Sequence, residues 1–508
     1  MIAFFIGIAI LILGYFVWGK IAERIFKPDA RLTPAMKNPD GVEKVPLSEK
    51  RNMFLQLLNI AGLGPILGVA LGMKFGPIVF LILPIGNVIG GAIHDYFTGM
   101  ISCRNNGSDI STLVQKFVGK KIGMVFSIIL VLGLALLVAN FTNSPAYLVE
   151  ELTSTFFSVD GMPVIIIAVV CILLYYIVSS LFSIDKIIGK VYPFIGIFLV
   201  VVTILMVIYL IPSFTSIPDV TFTLDGIASA FSQQSDGQPI LPMLFITVTC
   251  GILSGFHASQ TPIVARTIRS EMSGRRIFYG MMILEGIIAM IWAAGVSILF
   301  TQVPEALEIG NSTNIVITMV FFIFPVVLAM CSLILFLLLG ITSGDTGLRV
   351  SRTIFGNLIH ADQKKLPIRV LTLLPILLVI VGLLILANTG TGTFDILWSY
   401  FSWFNQIIGS FALIVATIYL AVKGSKWLIT AIPGAFILFN CLAYILWINP
   451  DKVGGTVVGF GLPLEASYII ALILTIGIMA ASVLHGYRLR KKSDFLPEDP
   501  PVYSGKES

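Results

Sequence analysis

Residues 59–107 read NIAGLGPILGVALGMKFGPIVFLILPIGNVIGGAIHDYFTGMISCRNNG, an apolar run broken from within by Gly62, Gly64 and Pro65, by later glycines, and by a His94-Asp95 dipeptide. Lipid offers no partner to an open backbone. A broken helix at bilayer depth therefore persists only where protein shields it or it lines a cavity. Interrupted helices near the midplane mark the binding sites of secondary transporters. This stretch is read as half of such a site.

The rest of the chain belongs in the same solvent. Hydrophobic residues make up 57%, charged residues 12%, and the mean hydropathy is +0.97. A soluble globule carries about twice that charged share. Repeated apolar runs of about 20 residues predict an all-α polytopic membrane protein; a transmembrane barrel would alternate over about 10 residues. The five cysteines lie in apolar runs or beside basic loops and are read as unpaired buried thiols. The net charge of +5 reflects loop placement, not nucleic-acid binding. The N-terminal MIAFFIGIAILILGYFVWGK has no basic residue before its apolar run and no cleavage site after it, so it reads as a retained helix.

Thirteen spans are predicted, at 2–19, 54–73, 77–100, 122–148, 162–183, 190–212, 240–263, 276–300, 313–343 (or from Pro325), 369–388, 394–421, 427–448 and 466–487. Charge tests the count. With the Lys/Arg-rich loop 19–53 in the cytoplasm, the N-terminus lies outside and the C-terminus inside. Alternating from there puts nearly every Lys and Arg inside; only Lys74 and Lys452 fall outside.

Without the first helix, the next five spans begin with the Gly62-Gly64-Pro65 break. The following five begin with a second break, in PILPMLFITVTCGILSGFHASQTPIVAR. Five is odd, so the two sets have opposite orientations. That is a five-plus-five inverted repeat with broken first and sixth core helices. The expected organisation is an N-terminal helix and loop (1–53), repeat one (54–212), an extracellular loop (213–239), repeat two (240–422), two C-terminal helices (423–490) and a cytoplasmic tail (491–508). Gly62 to Pro65 lie eight to eleven residues into their span. That is about 12–16 Å at helical rise, mid-bilayer.

Opposed half-helices present N–H groups to anions and C=O groups to cations. Gly86 and Gly90 are read as a close-packing face. Ionisable residues inside spans are functional candidates. His257 sits in the second break beside Ser254, Ser259, Gln260 and Thr261, and is read as a proton or substrate contact or as a packed neutral His. His94 and Asp95 are read as a gate or structural pair. Glu285, in MMILEGIIAM, needs a proton or a partner. Asp345 near Thr342 and Ser343 suggests an oxygen-lined cation site, or else an Asp345–Arg349 pair. Trp398 and Trp403, in an aromatic cluster ahead of Asn405 and Gln406, are read as an interface belt or a cavity cover.

The strings AGLGPILGVALGMKFGPIVFLILPIGNVIGGAIHDYFTGMISCRNNG, GILSGFHASQTPIVARTIRSE, TSGDTGLRVSR and LWSYFSWFNQ strongly resemble the carbon starvation protein A family, over about residues 54–421. That resemblance implies the amino acid–polyamine–organocation superfamily and a leucine-transporter-like fold. It also implies ion-coupled uptake of short peptides, or of pyruvate and related acids, across a bacterial inner membrane during carbon limitation. Carried over, Gly62, Leu63, Gly64 and Pro65 match the first broken helix. Ser254, Gly255, Phe256 and His257 match the sixth; Ser254, Gly255 and His257, with Gln260, are expected to complete the substrate contacts. Thr342 and Ser343 fall where sodium-coupled relatives place cation-binding hydroxyls; with Asp345 beside them, the coupling ion stays open between H+ and Na+. If the eighth helix starts at Pro325, residues 301–324 form an extracellular lid. No cofactor or metal is expected, and the partners are a small-molecule substrate and the lipid bilayer. A membrane-embedded enzyme built on His94, Asp95, His257 and Asp345, or a nutrient sensor, are the competing classes; no H-E-x-x-H or P-loop spacing supports either enzymatic or ATP-driven action.

Overall fold

Each apolar run becomes a helix because a bilayer-spanning backbone must satisfy its own hydrogen bonds. The computed structural model describes residues 1–503 apart from 42, 182–187, 233–237, 364, 390–392 and 450–458. Among the described residues, eleven helices are long and apolar enough to cross a membrane, and two bent pairs bring the total to as many as thirteen. In chain order these are α1 (Ile2–Phe26), the pair α2 (Glu49–Ile60) and α3 (Leu63–Gly72), α4 (Val79–Arg104), α5 (Lys120–Phe157), α6 (Met162–Leu181) and α7 (Tyr192–Ser216). The pair α8 (Ile240–Thr247) and α9 (Gly255–Ala265) follows, then α10 (Glu271–Gln302), the short α11 (Ser312–Ile323), α12 (Val326–Leu358), α13 (Leu366–Asn388), α14 (Ile396–Lys423), α15 (Leu428–Trp447) and α16 (Leu464–Arg490). Every predicted span has its helix. The predicted 313–343 span resolves into α11 and α12, parted at Phe324 and Pro325, so the later start is the observed one.

Both bends sit at the predicted breaks, at 44° between α2 and α3 and 67° across α8 and α9. Ser48 caps α2, accepting from Arg51 N at 3.4 Å. The helix ends where Ala61 and Gly62 leave helical dihedrals and restarts at Leu63. Pro65 falls in the new first turn, where its missing N–H costs nothing. In the second break Ser254 is extended, and α9 begins at Gly255. A Cβ at Gly255 would lie 1.9 Å from the Asn405 carbonyl oxygen and 2.3 Å from Gly409 N. Only glycine permits this approach of two backbones.

Small residues set the spacing of the central helices, as expected where lipid supplies no hydrophobic drive between helices. A Cβ at Gly86 would meet Ile252 Cγ2 at 2.5 Å, and one at Gly91 the Ile252 carbonyl at 2.2 Å. The glycines of α4 therefore pack it onto the second break. Between them α4 takes a π-helical turn (Asn87–Gly91), and Asn87 Nδ2 donates to Gly251 O at 3.2 Å and Met282 O at 3.1 Å. α4 packs on α9 and α10, and α2 packs on the same two helices. α5 lies along α12, α11 lies against α3, and α14 packs on α4, α5 and α9 and also contacts α15 and α16. α1 lies on α4 and α10, with Phe4 edge-on to Phe80 at 5.7 Å.

Candidate substrate and ion site between the two breaks

The two breaks meet at one small cavity of about 20 Å³, lined by Asn59, Gly62, Gly64, Pro65, Phe141, Cys250, Ser254, Phe256, His257, Gln260, Ser343 and Phe401. A space of that size holds about one water, so this conformation is closed around its centre. Of the expected substrate contacts, Gly62, Gly64, Pro65, Ser254, His257 and Gln260 line it. Leu63 instead faces Gly340 of α12, whose added Cβ would lie 3.5 Å from Leu63 Cδ2. Gly255 serves the contact between α9 and α14.

The half-helix N-termini differ. α9 is capped from another helix: Asn405 Oδ1 on α14 accepts from Phe256 N at 2.9 Å and from Ser254 Oγ at 3.0 Å. α3 has no side-chain cap, and its first residues line the cavity. Its opening N–H groups have no intrahelical partner and carry the positive end of the helix dipole. The first break is therefore the anion-attracting end. Phe256 stacks on Phe401 at 5.0 Å and forms a flat apolar wall. Trp398 packs behind that wall, 5.2 Å from Phe401 and 6.4 Å from Phe141. Trp403 is elsewhere. Its Nε1 donates to Cys441 O at 3.1 Å, and its ring lines an apolar groove of about 630 Å³ among α14, α15 and α16. The two tryptophans do not form one cover.

The expected oxygen-lined cation site also divides. Ser343 faces the cavity, close enough that a Cβ on Gly62 would lie 2.2 Å from its Oγ. Its Oγ donates to Leu339 O at 3.0 Å, and Thr342 Oγ1 donates to the same carbonyl at 2.9 Å. Asp345 points toward α6, where Ser179 Oγ donates to its Oδ2 at 2.8 Å. Residues two apart on a helix do not share a face, so Ser343 and Asp345 do not converge on one ion.

A different set converges. Asp95 is fully buried. His94 Nδ1 lies 2.8 Å from its Oδ1; His257 Nδ1 and Gln56 Nε2 each lie 3.3 Å from its Oδ2. His257 Nε2 is 4.0 Å from Glu285 Oε1. Glu285 is 0% exposed, and neither carboxyl oxygen has a hydrogen-bond partner among the described residues. His94 and Asp95, read from sequence as a gate, and His257, read as a site residue, thus belong to one buried chain with Glu285. Gln56 and Asn59 join the site only in the fold; two amides three residues apart just ahead of the break are their sequence signal. Asn405, beside the aromatic cluster in sequence, takes its capping role from the contact of α14 with α9.

Beyond α9, Glu43 spans Arg266 at 3.7 Å and Arg349 at 3.9 Å. This contact lies on the arginine-rich side of the cavity and ties the 27–48 loop to α9 and α12.

The sequence matches the family model described as "Carbon starvation protein CstA" over residues 1–198, 168–323 and 313–443. The chain belongs to the CstA carbon starvation protein family. An uncharacterized membrane protein of Haemophilus influenzae is 38% identical over 347 residues, 61% of this chain and 93% of that protein. A peptide transporter CstA of Helicobacter pylori is 26% identical over 53% of this chain and 47% of its own length. The pyruvate/proton symporter BtsT of Escherichia coli is 25% identical over 55% and 46%. The matched region thus spans just under half of each named transporter. Among solved structures, a manganese transporter of Eremococcus coleocola superposes with a TM-score of 0.57 at 14% identity, over 89% of this chain and 99% of its own. The nucleobase-cation-symport-1 family transporter MHP1 gives 0.54 at 14%, over 85% and 92%. At such identity these neighbours speak for the fold, a leucine-transporter-like one. This CstA-family chain is a multi-pass membrane protein, and the relatives with a named activity and these structural neighbours are transporters rather than enzymes.

Proposed function

We propose that this CstA-family chain is a secondary transporter that takes up small carboxylate-bearing nutrients, short peptides or pyruvate-like acids, by ion-coupled alternating access. The observation that carries this is the uncapped N-terminus of α3 facing a cavity shared with the second break. A carboxylate docks on the N–H groups at Gly62–Gly64, where the dipole favours it. Ser254, His257 and Gln260 contact the remainder of the substrate, and the Phe256–Phe401 wall excludes water from one side. The repeats are residues 54–212 and 240–422, with 1–53 and 423–490 as additions outside them, 213–239 as an extracellular loop and 491–508 as a cytoplasmic tail. The arginine-rich side faces the cytoplasm of a bacterial inner membrane, the N-terminus lies outside and the C-terminus inside. On that orientation the Glu43 contact closes the inner side. The coupling ion is H+ or Na+; the hydroxyl of Ser343 lies beside the first break for a cation, with Thr342 next to it in sequence on α12, and Asp345 braces α12 against α6. Named relatives that move peptides, or pyruvate with protons, support the substrate class.

The test is counterflow. Purified protein in liposomes loaded with unlabelled pyruvate or dialanine should draw in the labelled compound, and Gly62→Val should abolish it, because the added side chain fills the space between α3 and Ser343. Absence of exchange for either compound across a screen of small carboxylates would end this reading.

A further inference from the structure

The strongest unassigned feature is the buried chain His94–Asp95–His257–Glu285. It holds two carboxylates and two imidazoles on three helices, α4, α9 and α10, with α2 supplying Gln56. No Lys or Arg ion-pairs with Asp95 or Glu285 among the described residues. The groups facing His257 are Asp95 from α4, which His94 contacts in turn, Glu285 from α10, and the Cys250 thiol in the same cavity wall; Gln56, Asn59 and Asn405 are neutral. A buried site tolerates little uncompensated charge. Two ionised carboxylates need protons on their neighbours, and imidazole is the group that gains and loses one near neutrality.

His257 connects this chain to the substrate space. It stands in the first turn of the half-helix α9 and lines the cavity, while its two ring nitrogens lie toward Asp95 and Glu285. An anion arriving at the first break adds a negative charge beside that imidazole. One further proton on the chain restores the balance, and its loss on the other side releases the anion. Ser254 is extended, so the helix that carries His257 begins afresh at Gly255.

We propose that Asp95, His257 and Glu285 are the proton-carrying site of this transporter, loaded together with the substrate carboxylate, with His94 and Gln56 orienting Asp95. This rests on the transport reading above and selects H+ as the coupling ion. The proton binds on elements α4, α9 and α10, apart from the hydroxyls of α12. Balance is simple: one proton enters with the anion, none is consumed, and no bond other than N–H or O–H is made or broken.

Two measurements test it separately from transport itself. Infrared difference spectra of lipid-embedded wild type across pH should contain a buried carboxylic-acid C=O band. That band should vanish in Glu285→Gln and shift its titration midpoint in His257→Gln. Identical pH-difference spectra in wild type, Glu285→Gln and Asp95→Asn would overturn the proposal, whatever the substrate. In liposomes, one proton per substrate lets a pH difference of about one unit support about tenfold accumulation of pyruvate, and of zwitterionic dialanine when the membrane potential is clamped at zero. Glu285→Gln should lose that accumulation. Wild-type levels of accumulation in both Glu285→Gln and His257→Gln would also overturn it. A wild type that exchanges neither compound counts against the transport reading alone, and the infrared titration still decides the proton site.

Discussion

Gly255 has no room for a side chain, and its neighbours are backbone atoms that cannot step aside. Gly255→Ala should therefore destabilise the protein by about 1–3 kcal/mol, the usual cost of overpacking, read as a lower thermal midpoint in detergent. Gly382 on α13 has nothing within 4 Å of an added Cβ. Gly382→Ala should be neutral or stabilising by up to about 1 kcal/mol, since it removes only the helix penalty of glycine. A matching loss at both positions would show that the close approach of α9 to α14 is not what Gly255 provides. The same scale separates Ser343 from Asp345. Both looked like members of one oxygen cluster in TSGDTG, yet helical geometry turns one to the cavity and the other to Ser179.

At the scale of elements, the C-terminal tail docks on the arginine-rich side. Glu498 accepts from Tyr419 OH at 2.8 Å, Lys423 Nζ at 3.0 Å and Arg104 Nη1 at 3.2 Å. Asp499 N donates to Arg104 O at 2.8 Å, and Phe495 stands edge-on to Phe117 at 5.8 Å. Burial opposes the charge of Glu498, but the donors from Tyr419 and Lys423 and the charge of Arg104 outweigh it and hold its carboxyl at about 2 rather than 4.5. The sign follows. A depressed carboxyl stabilises the docked tail above about pH 4.5 and loses that contribution as pH falls toward 2. Protease protection of residues 495–503 should thus be flat from pH 8 to 5 and fail in acid. Glu498→Gln should expose the segment at neutral pH. Cleavage unchanged by that substitution would mean that the backbone hydrogen bonds from Asp499 N to Arg104 O and from Leu32 N to Val502 O, the latter 2.7 Å, suffice.

For the whole molecule, the closed cavity demands a second conformation, because a space for about one water admits no nutrient. Glu43 is the group that ties the loop to both α9 and α12 on the arginine-rich side. Glu43→Gln should favour opening on that side. Cys250, buried in the cavity wall, is a native reporter. With Cys171 and Cys331 replaced, a thiol reagent applied from the arginine-rich side should label Cys250 several-fold faster in Glu43→Gln than in the parent. Equal labelling would place the inner barrier elsewhere.

The sequence by itself determined the solvent, the spans and the two breaks. Apolar run length, loop charge and Gly/Pro interruption are local properties, and the lipid environment converts them into helices with few alternatives. Even the later start of α12 was legible in Pro325. What only the tertiary structure decided is which buried polar groups meet. Asp95 and His257 lie in different runs, and their 3.3 Å contact depends on the bend at Ser254, the π-helical turn of α4 and the glycines that let Ile252 approach. Periodicity gives each helix a face but not its rotation against the next. For that reason the gate pair, the break histidine and the lone Glu285 looked like three separate features, and the fold made them one.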